Sequence, residues 1–306
     1  MNFFLQRVKI EKINLQDRIF CFSFPKRDSF LLESIQKFGL LQPPLLLTSE
    51  DSYKIVAGEG RILALKKLAY EEIPALILPP STSPLLALLL SLESNLFRNL
   101  NLLEKAEFFK RAKLYFSIKE LLKLLPKLGF TEAYHWLEFL ENVNALEEKF
   151  KLLILEEKLN PQILTLFNSL DKNSQEEFLK VLESLKLSFS EQREVLQKLV
   201  DYKKRKDLPN LVPLELKEAL QEEDFNKRRG EFFKKLKELF FPTYVQSIKK
   251  IEPICQKFKQ EGIEIIFSPY LEKRELEIRF KVKNLEDLEK RVNFLKKENL
   301  EPIFID

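Results

Sequence analysis

The spacing of apolar residues changes character twice along this 306-residue chain, and those changes limit the folds open to it. From Val8 to about Arg111, short apolar runs typical of strands alternate with amphipathic helical runs. After Leu114 the strand signals vanish for more than a hundred residues, and apolar residues recur at helical spacing. The last sixty residues predict helix, strand, strand and helix. A multidomain α+β protein is therefore expected.

Short segments of the N-terminal region carry clear secondary-structure signals. We predict strands in "VKIEKINL", "PPLLLTS" and "YKIVA", and a helix in "SFLLESIQKF" that ends at Gly39. The apolar run from Pro84 to Leu92 is far shorter than the roughly 20 residues that cross a bilayer, so a buried helix is expected there. The first residues carry charges without an apolar core, which argues against an export signal.

Charge and proline content mark a boundary between Asp201 and Pro213. We predict an α/β domain at 1–112, a helical domain at 113–205, a charged helical linker at 206–243 and a C-terminal domain at 244–306. Two strands seldom form a stable sheet alone. The C-terminal domain is therefore expected to complete its sheet against a second copy, with Phe267, Ile278 and Phe280 contributing. The alternative is that it packs on its own chain.

Composition excludes several classes of chemistry. His135 is the only histidine, which argues against Ser-His-Asp catalysis and multi-histidine metal sites, and we predict that it packs beside Trp136 on a helix. Cys21 and Cys255 lack CxxC spacing, so a reducing cytoplasm fits better than a disulfide framework. The 51 Lys and Arg against 47 Asp and Glu leave a net charge of +4, so any basic surface must be local.

A glycine-containing turn follows the strand "YKIVA", where Gly58, Glu59, Gly60 and Arg61 lead directly into a helical run. Such a turn places unpaired backbone N–H groups at the start of a helix, where the helix dipole also favours an anion. Arg61 adds a guanidinium group suited to phosphate. The pattern matches neither GxxxxGK[ST] nor GxGxxG, so a plain turn is the alternative.

Three motifs occur in order around this turn: "ESIQKFGLLQPPLLL" (Glu33 to Leu47), "YKIVAGEGRILALKKLA" (Tyr53 to Ala69) and "ESNLFRNLNLLEKA" (Glu93 to Ala106). Together they resemble the N-terminal domain of the ParB family of chromosome and plasmid partition proteins, which shows ESIxxxGLLQP, GERRxRA and ENxxRxxLNxxEEA. The later helices and the C-terminal helix-strand-strand-helix also resemble the helical and dimerisation regions of that family. Nearly the full length is covered.

The resemblance implies a domain of the ParB/sulfiredoxin type that binds CTP with Mg²⁺ and closes two protomers into a clamp on DNA, with a ParA-type ATPase as a partner. Carried over by motif, the base pocket comprises Gly39, Leu40, Gln42 and Pro43, the phosphate cradle comprises Gly58, Glu59, Gly60 and Arg61, and the phosphate and metal contacts come from Asn95 and Arg98. Glu93 with Asn95 forms the implied metal site. No membrane association is implied.

The chain departs from the family pattern at three of these positions. Gly60 and Leu63 replace two arginines of GERRxRA, leaving Arg61 and Lys66 as nearby cations. Ser94 replaces the acidic residue of ENxxR, and Glu93 stands one position earlier. Because hard divalent cations prefer charged oxygen ligands, weaker metal and phosphate binding is expected, and binding could survive while hydrolysis is lost.

The segment from Phe116 to Val143 predicts a helix-turn-helix with Gly129 at the turn. Specific reading of the major groove usually requires Arg, Lys, Asn or Gln on the second helix. The run from Thr131 to Val143 instead offers Glu132, Glu138 and Glu141 and lacks Lys and Arg. Either this helix is structural and specificity is lost, or the recognition helix lies several residues away.

Cations suited to DNA lie further along the chain. The candidates for salt-sensitive, weakly specific or nonspecific DNA contact are Lys203, Lys204, Arg205, Lys206, Lys227, Arg228 and Arg229. Solvated helix faces are the alternative explanation for these runs.

The leading hypothesis from sequence is a cytoplasmic, nucleoid-associated, homodimeric ParB-like protein that uses CTP to switch between open and closed states on DNA. One alternative is a nucleotide-independent scaffold that keeps the fold with a degenerate phosphate site. Another is an enzyme, either a CTPase or a nuclease, although no acidic cluster in the sequence supports nuclease chemistry.

Overall fold

The computed structural model describes residues 3–25, 28–267 and 276–297. Near the N-terminus, five strands form one mixed sheet in the order β1-β5-β3-β4-β2. The pairs β1/β5 and β3/β4 are antiparallel, and β3/β5 and β2/β4 are parallel. The strands are β1 (Phe4–Lys9), β2 (Ile13–Asn14), β3 (Leu45–Ser49), β4 (Ser52–Ala57) and β5 (Glu72–Leu78).

Three helices accompany this sheet: α1 (Asp28–Phe38), α2 (Glu59–Lys67) and α3 (Pro84–Glu93). Helices α1 and α2 pack against each other, and α3 contacts β4. Ile62 of α2 is fully buried in one cluster with Ile55, Ile73 and Ile77 of the sheet. Burial of such side chains contributes roughly 1.5–3 kcal/mol each, so this cluster fixes α2 on the sheet.

The predicted strands and the first helix are confirmed, with two differences. The strand predicted from Val8 begins at Phe4, and a 3-10 turn at Ile10–Lys12 interrupts it. Strand β5 was missed because Pro74 lies within it and proline lacks an N–H for a ladder. In the structure Pro74 pairs only with β1, because β3 joins β5 from Leu76 onward, so the missing donor is tolerated.

Residues 115–262 contain helices and no strand, as predicted. Reciprocal capping hydrogen bonds open several helices, since Asn101 pairs with Glu104, Ser117 with Glu120 and Ser188 with Glu191. No helix in the described part of the chain is long and apolar enough to cross a membrane. The helices that follow α3 are α4 (Leu102–Ala112), α5 (Ile118–Leu124), α6 (Tyr134–Ala145), α7 (Glu148–Leu155), α8 (Leu164–Asn168), α9 (Lys172–Leu185) and α10 (Phe189–Lys206).

The predicted helix-turn-helix segment comprises α5, a 3-10 turn at Leu125–Leu128, Gly129 and α6. Gly129 has φ +81°, a left-handed conformation that glycine adopts readily. Helix α6 begins at Tyr134, three residues after the predicted start at Thr131. His135 lies on α6 with its ring centre 4.8 Å from that of Trp136, as expected for neighbours on a helix, and its side chain is exposed.

The chain divides into two compact units. The first contains the chain up to Gln175 together with Ser188–Arg193, and the second contains Glu176–Leu187 and the chain from Glu194. The division passes through α9 and α10 because these long helices contribute to both units. The domain boundaries at 112, 205 and 243 stay predictions of the sequence.

In the second unit, Glu177 accepts hydrogen bonds from the backbone N–H groups of Leu211 and Val212 at 2.8 and 3.0 Å, and its carboxylate also pairs with Lys217. The region predicted as a charged helical linker is helical, and its Phe232 is fully buried. The remaining helices and strands are α11 (Leu214–Ala219), α12 (Phe225–Phe240), α13 (Pro242–Gln260), β6 (Ile263–Phe267), β7 (Leu276–Phe280) and α14 (Leu285–Lys297).

The C-terminal order of helix, strand, strand and helix is as predicted. Strands β6 and β7 pair antiparallel, with Ile265 opposite Ile278. The side chain of Phe267 lies outside the described residues, while Ile278 and Phe280 are half-buried. Pairing with a second copy stays a prediction.

Two Leu→Ala substitutions test whether residues 206–243 form a packed part of the second unit. Leu236 is 2% exposed, so Leu236→Ala is expected to lower the free energy of unfolding by about 2–5 kcal/mol. Leu214 is 70% exposed, so the matched Leu214→Ala should change it by less than about 0.5 kcal/mol. Urea unfolding followed by circular dichroism measures both. Equal effects would contradict the packing.

Candidate functional site

The turn between β4 and α2 exposes the start of a helix at a position that only glycine tolerates well. Gly58 has φ +94°, and a Cβ atom built there would lie 3.0 Å from both Arg61 Nη2 and Pro44 Cβ. Its carbonyl accepts the first helical bond from the Ile62 N–H at 3.1 Å. The N–H groups that open a helix have no partner within it, and the dipole there favours negative charge. The turn can therefore receive an anion.

A cavity of about 690 Å³ opens beside this turn, within the first unit. Its walls come from the segment after β2, the loop after α1, the β4–α2 turn, and the end of α3 with the residues that follow it. The predicted residues that line it are Gln42, Gly58, Glu59, Gly60, Arg61, Asn95 and Arg98. The remaining predicted positions, Gly39, Leu40, Pro43 and Glu93, are not among its lining residues.

Glu59 is the first residue of α2 and is 8% exposed. Arg18 holds its carboxylate through two contacts, from Nε to Oε1 at 2.6 Å and from Nη2 to Oε2 at 3.0 Å. The pKa of Arg18 lies above its ordinary value: burial alone lowers it, but the hydrogen bond and the charge of Glu59 raise it. Arg18, which does not line the cavity itself, therefore neutralises the Glu59 carboxylate that does.

Arg61 connects α2 to the loop after α1. Its Nη1 donates to the carbonyl oxygen of Gln42 at 2.6 Å and to that of Pro43 at 3.1 Å. Burial lowers the pKa of this guanidinium from its ordinary value. Pro43, which does not line the cavity itself, thus contributes by anchoring Arg61.

Arg98 is also engaged with protein groups. Its Nη1 contacts Glu104 Oε2 at 2.6 Å, and its Nη2 donates to Asn95 Oδ1 at 3.0 Å. The same Glu104 oxygen accepts from the backbone N–H of Asn101 at 3.1 Å. Asn95 in turn donates from Nδ2 to the Ser91 carbonyl at 2.8 Å. Arg98 therefore joins the cavity wall to the start of α4.

The predicted metal pair of Glu93 and Asn95 is not assembled. Glu93 forms an ion pair with Lys127, and the side-chain oxygen of Asn95, Oδ1, accepts a hydrogen bond from Arg98 Nη2. Among the residues that the structure describes, no group of three or more His, Cys, Asp or Glu could hold a metal ion. Since Mg²⁺ is usually held by one or two carboxylates together with substrate phosphates, the protein residues at hand fit only an ion that arrives with a nucleotide.

The predicted DNA-contacting cations are divided between solvent and internal contacts. Arg205 lies 5.5 Å from the ring centres of both Tyr202 and Phe240. Arg228 and Arg229 donate to the carbonyl oxygens of Ser184 and Leu185 at the end of α9, at 3.3 and 2.9 Å. These two arginines therefore stabilise a helix end. The exposed members of the set are Lys204, Arg205, Lys206 and Lys227.

The predicted recognition helix presents an acidic surface. Glu132, Glu138 and Glu141 are all exposed, and Glu132 precedes the start of α6. Glu141 forms an ion pair with Lys113. Carboxylates facing a phosphate backbone repel it, so this surface disfavours the usual helix-turn-helix docking.

Sequence reasoning missed several residues that line the cavity or contact its lining residues. Arg18 was overlooked because no motif includes it and because it lies 41 positions before its partner Glu59. Phe97 lines the cavity and is 81% exposed, which its place inside the third motif could have suggested. Cys21 also lines the cavity, and burial raises the pKa of its thiol to about 12, so it is a poor nucleophile.

Comparison with known proteins identifies relatives of this chain. Residues 5–95 match the family model of the ParB N-terminal domain. The chain is 40% identical over 82 residues to the chromosome-partitioning protein ParB of Myxococcus xanthus, a match that covers 26% of this chain and only 27% of that protein. It is 25% identical over 232 residues to the probable chromosome-partitioning protein ParB of Campylobacter jejuni, covering 75% of this chain and 79% of that protein.

Solved structures of the C-terminally truncated chromosome-partitioning protein ParB of Caulobacter crescentus are also similar, at 20% identity. The similarity to the structure in complex with the centromeric parS site extends over 63% of this chain and 99% of that chain, with a TM-score of 0.37. The complex with CTP-gamma-S covers 58% and 98%, with a TM-score of 0.27.

The ion pair at the cavity wall makes a prediction about stability. The Arg98 side chain is 16% exposed and that of Glu104 is 0% exposed, so Arg98→Ala leaves a buried carboxylate without its cation. We expect the free energy of unfolding to fall by about 3–5 kcal/mol. The control Arg7→Ala removes a side chain that is 71% exposed and should cost about 0–1 kcal/mol. Equal losses in thermal or urea unfolding would contradict the structural role of Arg98.

Proposed function

We propose that this chain, whose residues 5–95 match the family model of the ParB N-terminal domain, is a ParB-like, DNA-associated partition protein of chromosomes or plasmids that binds CTP in the cavity beside α2. In this proposal the nucleotide acts as a switch that closes two protomers on DNA. The C-terminal helix-strand-strand-helix supplies the contact between protomers, and a ParA-type ATPase is the partner. The protein would accordingly act in the cytoplasm, on the nucleoid.

One observation carries the nucleotide proposal. Residues from all three family motifs, represented by Gln42, Gly58 to Arg61, and Asn95 with Arg98, line a single cavity although they are far apart in sequence. At about 690 Å³ the cavity lies within the usual range for ligand sites. The start of α2 offers backbone N–H groups to phosphate, and the side chains of Ser94 and Asn95 line the same cavity.

The residues also suggest how a ligand would be held. Arg61 fixes the loop at Gln42 and Pro43 against α2, so the predicted base pocket and phosphate cradle are held together before a ligand arrives. Mg²⁺ would enter with the phosphates, because the carboxylate at the floor, Glu59, is already bound by Arg18. When bound, the ion would neutralise phosphate charge.

A second candidate function is a scaffold that does not use nucleotide. It is favoured by the engagement of both arginines of the cavity wall, since Arg61 binds backbone carbonyl groups and Arg98 binds Glu104. Neither guanidinium is displayed as a free phosphate ligand. The two functions make opposite predictions for nucleotide titration.

Isothermal titration with each of the four nucleoside triphosphates, with and without Mg²⁺, tests the nucleotide proposal. We expect CTP to bind in preference to ATP, GTP and UTP. Arg61→Ala should abolish binding, since the loop at Gln42 and Pro43 loses both hydrogen bonds that hold it. Arg7→Ala, an exposed arginine outside the cavity, is the matched control.

No binding of CTP by the wild-type protein would favour the scaffold. Unchanged affinity in Arg61→Ala would remove the β4–α2 turn from the site.

Gel shifts across a salt series test the proposed DNA contact. We expect weakly specific binding that falls steeply with salt, because phosphate contacts release counterions. Replacing the exposed Lys204 and Lys206 by Gln should make the negative slope of log K against log salt shallower by about 2. The matched double variant of Lys9 and Lys12, exposed residues of the first unit, should leave the slope unchanged. A salt-insensitive, sequence-selective complex would contradict the proposal and point back to the helix-turn-helix.

A further inference from the structure

A buried carboxylate stands where the proposed site would receive phosphate. Glu59 is the first residue of α2, lines the cavity and is 8% exposed. The start of a helix attracts anions, but an uncompensated carboxylate in the same place would repel them. The net charge at this end of the cavity therefore depends on what neutralises Glu59.

Arg18 is the group that neutralises it. Its Nη2 donates a hydrogen bond to Glu59 Oε2 at 3.0 Å, and its Nε lies 2.6 Å from Oε1 in an ion-pair contact. Arg18 is not among the residues that line the 690 Å³ cavity. It lines a smaller cavity of about 280 Å³ that shares Cys21, Phe22 and Ser23 with the larger one, so its action on a ligand would pass through Glu59.

The position of Arg18 is itself fixed from helix α4. Arg111 Nε donates to the Arg18 carbonyl oxygen at 3.3 Å, and the Arg111 guanidinium is held by the side chain and the carbonyl oxygen of Glu107. The Arg18 side chain is 33% exposed, so it is partly shielded from water. Arg111 thus holds the backbone of Arg18 while Glu59 holds its guanidinium, which keeps the positive charge next to Glu59 rather than in solvent.

From these contacts we infer that Arg18 is a positioning residue that sets the charge of the phosphate end of the cavity by neutralising Glu59. The inference rests on the proposed nucleotide function. Gly60 and Leu63 stand where the family motif has two arginines. Arg18, which lies outside the three motifs, would supply positive charge near the β4–α2 turn in their place. Loss of Arg18 should weaken binding in proportion to the phosphate charge of the ligand, whereas a merely structural loss should weaken all ligands alike.

The test compares Arg18→Gln, Glu59→Gln and the double variant with the wild type, using cytidine, CMP, CDP and CTP in isothermal titration without metal and with EDTA. For Arg18→Gln we expect the affinity for cytidine to stay within about twofold and that for CTP to fall by roughly tenfold or more. The double variant, which removes both charges, should recover CTP affinity to within about threefold of the wild type. Glu59→Gln alone should bind CTP at least as tightly as the wild type.

Breaking a buried ion pair can prevent folding, so Arg18→Lys and the double variant provide folded comparisons. Arg18→Lys keeps the charge and should retain the order of affinities. Equal losses for cytidine and CTP in Arg18→Gln would overturn the inference while leaving the proposed function intact. If Arg18→Gln does not fold, weaker CTP binding by Glu59→Gln or by the double variant would overturn it. A wild-type protein that binds none of the four ligands, either with EDTA or in a parallel titration with Mg²⁺, would overturn the proposed function and this inference together.

Discussion

Burial of helix α2 against the five-stranded sheet is the interaction on which the candidate site depends. Ile62 and Leu65 lie in the same apolar cluster as Ile55 and Ile73, and this packing fixes the axis of α2. Because the axis is fixed, the first turn of the helix must begin at Gly58, directly after β4. The hydrophobic core thus determines where the polar start of α2 meets solvent. The charged groups around that helix start modify the charge that a ligand would meet there.

Helix α4 is the second element that organises the cavity. Its Glu104 forms an ion pair with Arg98, which lines the cavity, and its Arg111 binds the backbone of Arg18, the partner of Glu59. Two sides of the cavity therefore depend on the position of a single helix. The same helix packs against α6 and α7 within the first unit, so the charged groups of the cavity and the helix-turn-helix-like segment share one structural support.

Local sequence patterns predicted most of the helices and strands, and seven of the predicted nucleotide-binding residues line one cavity. The glycine turn at Gly58 and the strand before it could be predicted because backbone conformation and periodicity are local properties. Strand β5 was not predicted, since proline lacks the N–H that a strand interior normally uses. Whether a strand can contain proline depends on the neighbouring strands, and here Pro74 is paired with β1 alone. The partner of Glu59 could not be predicted, since ion pairs form between residues that packing brings together. Long arginine side chains near a motif likewise take whichever acceptor is close, as Arg61 does with the carbonyl groups of Gln42 and Pro43.

Phe97 adds an exposed aromatic side chain to a cavity that Phe22, Leu31 and Leu63 also line. Its ring is 81% exposed although it lies on the wall, beside Arg98. Water therefore covers most of an aromatic ring that any occupant of this wall would have to displace. Release of that water removes apolar area from solvent, and the thermodynamic mark of such burial is a negative change in heat capacity. Association at this wall would thus carry a temperature-dependent enthalpy, whatever the charge of the molecule that binds there.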